Sequence, residues 1–337
     1  MRAHGTFLLG LALLAAGPAL AQPPATPPAS DNVSIWTIQA ENDSASTYFI
    51  NRSSDRYYTS GLRIGWTSPP SLVPASLKEL GHTLWGAGEA RVSVDLTHQM
   101  YTPSATFLPV PPLDDRPYAS VLMGYFGLVQ DTPRTRSTLV LGLGVVGPGA
   151  VGERVQNGFH ELIGQRTLSG WRTQLRNEPL LQITSERTWR VPIYSLGPFE
   201  TDALPSLTAA VGNLRTYVQT GVMVRLGQGL QSDFGPARLR PGTTGGDYFS
   251  RLRPVAWYVF AGADGRAVAH DLTLDGNTFN SSRSVSKHPF VGQMQAGIAV
   301  MALGVRFSYT HRLATQEFRG QRGGLHQVGS FALSVRF

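Results

Sequence analysis

Apolar and polar positions alternate along most of the chain. From Ser60 to Trp66 the even positions Leu62, Ile64 and Trp66 are apolar, while Gly61, Arg63 and Gly65 between them are charged or small. A period of two predicts β-strand with two unlike faces. The rhythm returns in Val92 to Thr97, in Thr216 to Leu226 with Val218, Val222, Val224 and Leu226 on one face, and in the terminal Phe331, Leu333, Val335 and Phe337. Segments of this kind cover 33–42, 57–68, 91–101, 117–130, 136–147, 179–191, 203–213, 214–227, 252–264, 266–276, 289–300, 302–315 and 326–337. A barrel with both ends on one side needs an even number of strands. Merging the two pieces between Ala203 and Gly227 gives twelve, with outward connections at 43–56, 102–116, 148–178, 228–251, 277–288 and 316–325.

The face opposite the apolar one carries Arg63, Asp95, Gln219, Arg225 and Arg336. A soluble sandwich would put these in water, a membrane barrel in its lumen, and the pattern alone does not separate the two. Three further features favour the barrel. Arg2 followed by the apolar run Phe7 to Ala16 and by Ala19-Leu20-Ala21 reads as a signal peptide over 1–21, with a proline-rich lead-in at 22–32. Aromatic residues such as Trp36, Tyr57, Tyr58, Trp66, Tyr101 and Tyr118 stand at segment ends, and the last strand ends in Phe337. Downstream no apolar run is long enough for a membrane helix. The expectation is an all-β protein, a twelve-stranded antiparallel transmembrane β-barrel over 33–337 in the bacterial outer membrane. Charged residues make up only 15% and cysteine is absent, which excludes a long charged helical protein, a disulfide scaffold and thiolate chemistry.

The connection 148–178 has a helical period: Val151, Val155, Phe159 and Leu162 form one stripe, with Glu153, Gln156 and His160 beside it. The apolar stripe is expected to pack on the barrel rim, so that Gln156 and His160, four apart, share one face of a dry cleft.

Several motifs then occur in order: Glu41-Asn42-Asp43; Asp55-Arg56-Tyr57-Tyr58-Thr59-Ser60-Gly61; Tyr101-Thr102-Pro103; Asp115-Arg116-Pro117-Tyr118-Ala119; Gly152-Glu153 with Gln156, His160 and Gly164; Gly170-Trp171-Arg172-Thr173-Gln174; and Asn177-Glu178-Pro179. Together they resemble the lipid A 3′-O-deacylase (LpxR) family of outer-membrane barrels. Ser120 departs from the pattern, standing where a glycine is usual. The resemblance implies a calcium-dependent esterase site facing the outer leaflet, with lipid A or lipopolysaccharide as partner.

The residues allow that chemistry. There is no G-x-S-x-G elbow, no cysteine and no H-E-x-x-H, which leaves water activated by a histidine, with a metal as electrophile. Of eight histidines only His160 lies on the loop helix beside polar partners, and it is the candidate base. Asn42, Asp43 and Thr59 offer hard oxygen donors suited to Ca2+, although Asn42 shares the parity of lipid-facing Trp36, Ile38 and Ala40, and an Asx turn is the competing reading. Arg116 suits an anionic lipid or an ion pair with Asp114 or Asp115. Tyr118, Gln156 and Trp171 are candidate substrate contacts, with an interface anchor, the commoner fate of such residues, as the competing reading of the two aromatics. Glu178 fits either orientation of His160 or pairing with Arg172 or Arg176. The formal charge of +7 fits lipopolysaccharide better than nucleic acid, for which no basic aromatic groove is present, and the chain reads as a monomer. An outer-membrane phospholipase and a non-catalytic pore or structural barrel remain the alternatives.

Overall fold

The structure is a computed structural model and describes residues 31–43, 56–236 and 247–337; the signal peptide and the lead-in through Ser30 lie outside the described residues. Strands β1 (Ile35–Asn42), β2 (Tyr57–Thr67), β3 (Glu89–Thr102), β4 (Ala119–Asp131), β5 (Thr135–Val146), β6 (Glu178–Trp189) and β7 (Val191–Leu196) are followed by β8 (Phe199–Gly212), β9 (Arg215–Gln228), β10 (Val255–Asp271), β11 (Phe290–Ala302), β12 (Val305–Ala314) and β13 (His326–Arg336). Neighbours in sequence pair antiparallel except β6 and β7, β1 pairs with β13, and β6 pairs with β8 from Gln182–Gly212 to Thr188–Ser206. The sheet is therefore closed. Segments β6 and β7 flank Arg190 and run along the same strand, β8, so they form one stave of a twelve-stranded barrel. Closure satisfies the backbone polar groups that a lipid core could not.

The alternation has the sense that lipid requires. On β1, Thr37, Gln39 and Glu41 point inward and are buried, while Trp36 and Ile38 point outward and are exposed. Leu62 and Ile64 on β2, Leu96 on β3, Phe126 on β4 and Leu143 on β5 continue this apolar outer row. An exposed row that is apolar around a polar interior is the inverse of a water-soluble sandwich.

The strand count agrees with the alternation, but the merge belongs elsewhere. Both β8 and β9 are strands, separated by a turn at Asn213-Leu214, whereas the segments expected at 252–264 and 266–276 are joined in the single strand β10, which ends at Asp271 before a helical turn at Leu272–Asp275. Gly265 stays in register between Thr220 and Gly292, and Asp264 beside it accepts hydrogen bonds in the lumen from Gln219 at 2.7 Å and Gln293 at 3.3 Å. The consequence concerns 228–251. With β8 and β9 both counted, that connection leaves from the rim that holds the termini, not from the outward rim.

Its described residues, through 236 and from 247, enter the barrel from the terminal rim. Asp233 pairs with Arg225 at 2.6 Å and Arg306 at 3.1 Å, and Asp247 pairs with Arg63 and lies 3.7 Å from Arg306. Tyr248 and Phe249 join a buried cluster with Ile35, Met223, Tyr258 and Met301. The lumen is packed at this end. At the far rim a second cluster holds Tyr58, Tyr101, Val146, Leu180 and Leu272.

Among the described residues, two helices of 11 residues each lie outside the wall. Helix α1 (Ala75–Trp85), in the connection after β2, packs Leu77 and Trp85 against Trp66, Val92 and Leu128 at the terminal rim. Helix α2 (Gly152–Leu162), in the connection after β5, lies at the far rim.

Candidate active site

Helix α2 starts from an unusual residue. Val151, its N-cap, has φ of +56°, a left-handed conformation that a β-branched side chain rarely takes, and it supplies no side-chain cap. Glu153 in the first turn complements the helix dipole. The buried stripe is Gly152, Gln156 and His160, four apart each time. Phe159 is 56% exposed and Leu162 81%, with Val151 and Ile163 also exposed; only Val155 of the expected apolar stripe is partly buried. The helix thus lies the other way round from the expectation, with its polar stripe on the barrel and its apolar stripe outward.

The surface it covers explains this orientation. His98 and Met100 continue the outward row of Leu96 on β3, and Ser120 continues that of Phe126 and Gly124 on β4, where it pairs with Met100. These positions face lipid by strand parity, yet Met100 and Ser120 are buried because α2 and the turn Ser169–Thr173 cover them. Gly152 permits the approach: a Cβ there would lie 2.5 Å from Ser120 Cβ and 2.9 Å from the Trp171 ring. The outer wall of β3 and β4 and the inner face of α2 thereby form a buried interface on the lipid side of the barrel.

Within it, the Trp171 indole N–H donates to Gln156 Oε1 at 2.8 Å, and the Trp171 and Tyr118 rings meet at 4.9 Å over Met100 and Leu168. Asn157 fixes the returning chain through Leu168, accepting its N–H at 2.8 Å. The His160 Nδ1–H donates to the Arg166 carbonyl at 2.9 Å. Because a carbonyl only accepts, the neutral ring carries its proton on Nδ1 and its lone pair on Nε2. Four of the predicted residues, Tyr118, Gln156, His160 and Trp171, are therefore in one assembly, with both aromatics buried beneath the helix.

Asn42, Asp43 and Thr59 gather at the far ends of β1 and β2. Asn42 pairs with Ser60 and Gly329 and keeps the outward parity of Trp36 and Ile38. Outward is the side on which α2 lies. The Asp43 N–H donates to the Thr59 carbonyl at 3.2 Å, and Asp43 Oδ2 accepts from the Arg56 N–H at 2.7 Å. Thr59 is the extra residue of a bulge between the pairs Tyr58–Tyr101 and Ser60–Met100, and its hydroxyl lies 2.7 Å from that of Thr102. The Asn42 amide, the Asp43 carboxylate and the Thr59 hydroxyl thus stand close in the fold at one strand end and are oxygen donors of the kind calcium takes.

Arg116 lies elsewhere than either expectation put it. Its guanidinium is fully buried, paired with Glu317 at 2.7 Å, bonded to Thr273 Oγ1 at 2.6 Å, and 4.4 Å over the Tyr101 ring. Asp115 instead accepts from Ser104 and Ala105 within its own loop. Burial opposes the charge of Glu317, but Arg116, Arg266 and Arg215 outweigh it and hold this carboxyl well below the usual carboxylate range. Glu178 meets neither His160 nor Arg172 and Arg176: it accepts from Thr278 N at 2.8 Å, Asn277 Nδ2 at 3.1 Å and Asn213 Nδ2 at 3.0 Å, tying rim loops together. Sequence reasoning missed Glu317, Thr273 and Asn157, for which no local motif stands out.

An apolar outer belt, a packed polar lumen and a helix-covered stretch of the lipid-facing wall define an outer-membrane β-barrel whose candidate site is turned to the bilayer. The chain belongs to the family described as outer membrane protein LpxR, which matches residues 7–337. Its fold agrees with that of LpxR from Salmonella typhimurium at a TM-score of 0.74 and 22% identity, covering 90% of this chain and 100% of that one. The β domain of the Bordetella autotransporter BrkA is more distant, with a TM-score of 0.43 and 13% identity over 91% of this chain and 100% of that one. No curated protein matches the chain in sequence.

Proposed function

We propose that this protein is a carboxylic ester hydrolase that removes the 3′-O-linked acyloxyacyl group of lipid A in the outer leaflet. The observation that carries this reading is the position of His160, buried between α2 and the outer wall on the side of the barrel that lipid occupies. An ester there needs a proton acceptor, and His160 Nε2 takes a proton from water as that water attacks the carbonyl. The Arg166 carbonyl holds the ring in the tautomer this requires. Gln156, fixed by Trp171, lines this interface beside the base, while Tyr118 and Trp171 form a dry floor for the acyl side of the substrate. Exposed Phe159, Leu162 and Ile163 suit a lipid surface outside it.

Asn42, Asp43 and Thr59 would hold Ca2+. When bound, the ion supplies the electrophile for the developing oxyanion. Arg116, engaged with Glu317 and Thr273, supports the rim and does not reach for a phosphate. The test is incubation of the purified barrel with lipopolysaccharide and, separately, with phospholipid, followed by mass spectrometry of the released acids, with calcium and with chelator. Release from lipopolysaccharide that stops in chelator and resumes with calcium is expected. Release from phospholipid alone would make the protein a phospholipase, and full release in excess chelator would remove the metal.

A further inference from the structure

Three groups at the start of α2 have no part in the chemistry above. His98 Nε2 lies 2.8 Å from the Ala150 carbonyl and 2.9 Å from Ser120 Oγ, and the Ser120 hydroxyl donates to the same carbonyl at 3.1 Å. A carbonyl only accepts, so the proton is on His98 Nε2 and points at Ala150, with Ser120 Oγ as its second neighbour. In this arrangement His98 is not the base of Ser120. Ser120 is also fully buried, which sets aside a histidine-activated serine nucleophile.

The next residue along is Val151, the β-branched N-cap in the left-handed region, and α2 has no side-chain cap to fix its entry. A residue in such a conformation persists only where its surroundings determine it. Here they include two barrel side chains on the preceding carbonyl and a third tie, the Gly147 N–H on the Ser120 carbonyl at 2.9 Å. From this point Gly152, Gln156 and His160 follow at four-residue steps along the covered stripe. The angle at which the chain enters α2 therefore sets where His160 meets the wall.

We propose that His98 and Ser120 are positioning residues that latch the Ala150 carbonyl to the outer wall of the barrel and so hold α2, and His160 with it, in its working register. This inference rests on the hydrolase reading for its catalytic consequence. The latch itself does not. Ser120 also gains a purpose that the glycine usual at this place in the family resemblance could not serve, since glycine has no hydroxyl.

The chain has no cysteine, so a pair of introduced cysteines can be spin-labelled without interference. Glu161→Cys on α2 and Leu143→Cys on β5 are both exposed sites. Pulsed distance measurement on the full chain is expected to give one narrow distribution in the parent and in His98→Gln, whose amide N–H can still donate to Ala150. In His98→Leu, and more so in the double variant with Ser120→Ala, the distribution should broaden while the gel shift of the unheated barrel is unchanged. Release of acid from lipopolysaccharide should then fall at least tenfold in kcat with little change in KM, and His98→Gln should recover most of it. A distribution as narrow in the double variant as in the parent would overturn the latch. Broadening with an undiminished kcat would overturn its positioning role. If the parent releases no acid, the hydrolase reading fails, and the distance measurement still decides whether the latch exists.

Discussion

The Arg166 carbonyl, 2.9 Å from His160 Nδ1, decides which ring nitrogen can take a proton. At the rim, the same logic of fixed partners acts on charge. Glu317 neutralises two arginines, Arg116 at 2.7 Å and Arg266 at 2.6 Å. Its carboxyl is held below the ordinary 4.5, so the native state gains from the charged form: the contribution is complete above that value and is lost as acid protonates the folded carboxylate. Glu317→Gln should leave two buried guanidinium groups short of a counter-charge and cost about 3 kcal/mol. Thermal unfolding followed by circular dichroism should show this loss at neutral pH, with a shallower decline than the parent in strong acid. Equal melting at both pH values would contradict it. The sequence could not reveal this pairing, because Glu317 lies 201 positions from Arg116, whereas Asp114 and Asp115 are adjacent and look like its natural partners. The residue types at the candidate site were legible; their long-range partners were not.

Helix α2 was legible as a helix because its 3.6-residue period stands out against the two-residue rhythm of the strands. Its orientation was not. An apolar stripe is expected to turn inward when the surroundings are water, but on the outer wall of a barrel the surroundings are lipid, and the apolar stripe goes outward. What turns inward is the stripe that begins with Gly152, the residue that allows contact with Ser120 and Trp171. Gly152→Ala places a methyl 2.5 Å from Ser120 Cβ, and overpacking of this kind costs about 1–3 kcal/mol. The expected outcome is a detached or shifted helix on an intact barrel: faster proteolysis within 152–171 with an unchanged gel shift of the unheated protein. Proteolysis at the parent rate would show that the contact is not tight.

At the scale of the whole molecule, strand number and alternation could be read because a barrel imposes both on every strand, while the side from which 228–251 leaves depended on counting β8 and β9 separately. That error was consequential, since this connection supplies Asp233 and Asp247 to the lumen arginines. Filled in this way, the barrel should conduct no measurable current in a planar bilayer. Converting both carboxylates, Asp233→Asn with Asp247→Asn, removes both counter-charges of Arg306 and leaves Arg225 with Asp202 alone and Arg63 with Asp95 alone, a loss of about 3–5 kcal/mol for a buried pair, and should produce transient openings. Steady conductance in the parent would point to a pore.

The proposed hydrolysis turns on one side chain, the His160 imidazole between helix and wall. The direct measurement compares acid released from lipopolysaccharide by the parent and by His160→Gln, each confirmed as a folded barrel by its gel shift. Glutamine keeps a hydrogen-bonding tip but cannot accept the proton, so the rate should fall by roughly 10²-fold or more. A folded His160→Gln protein that releases acid at the parent rate would rule out His160 as the base.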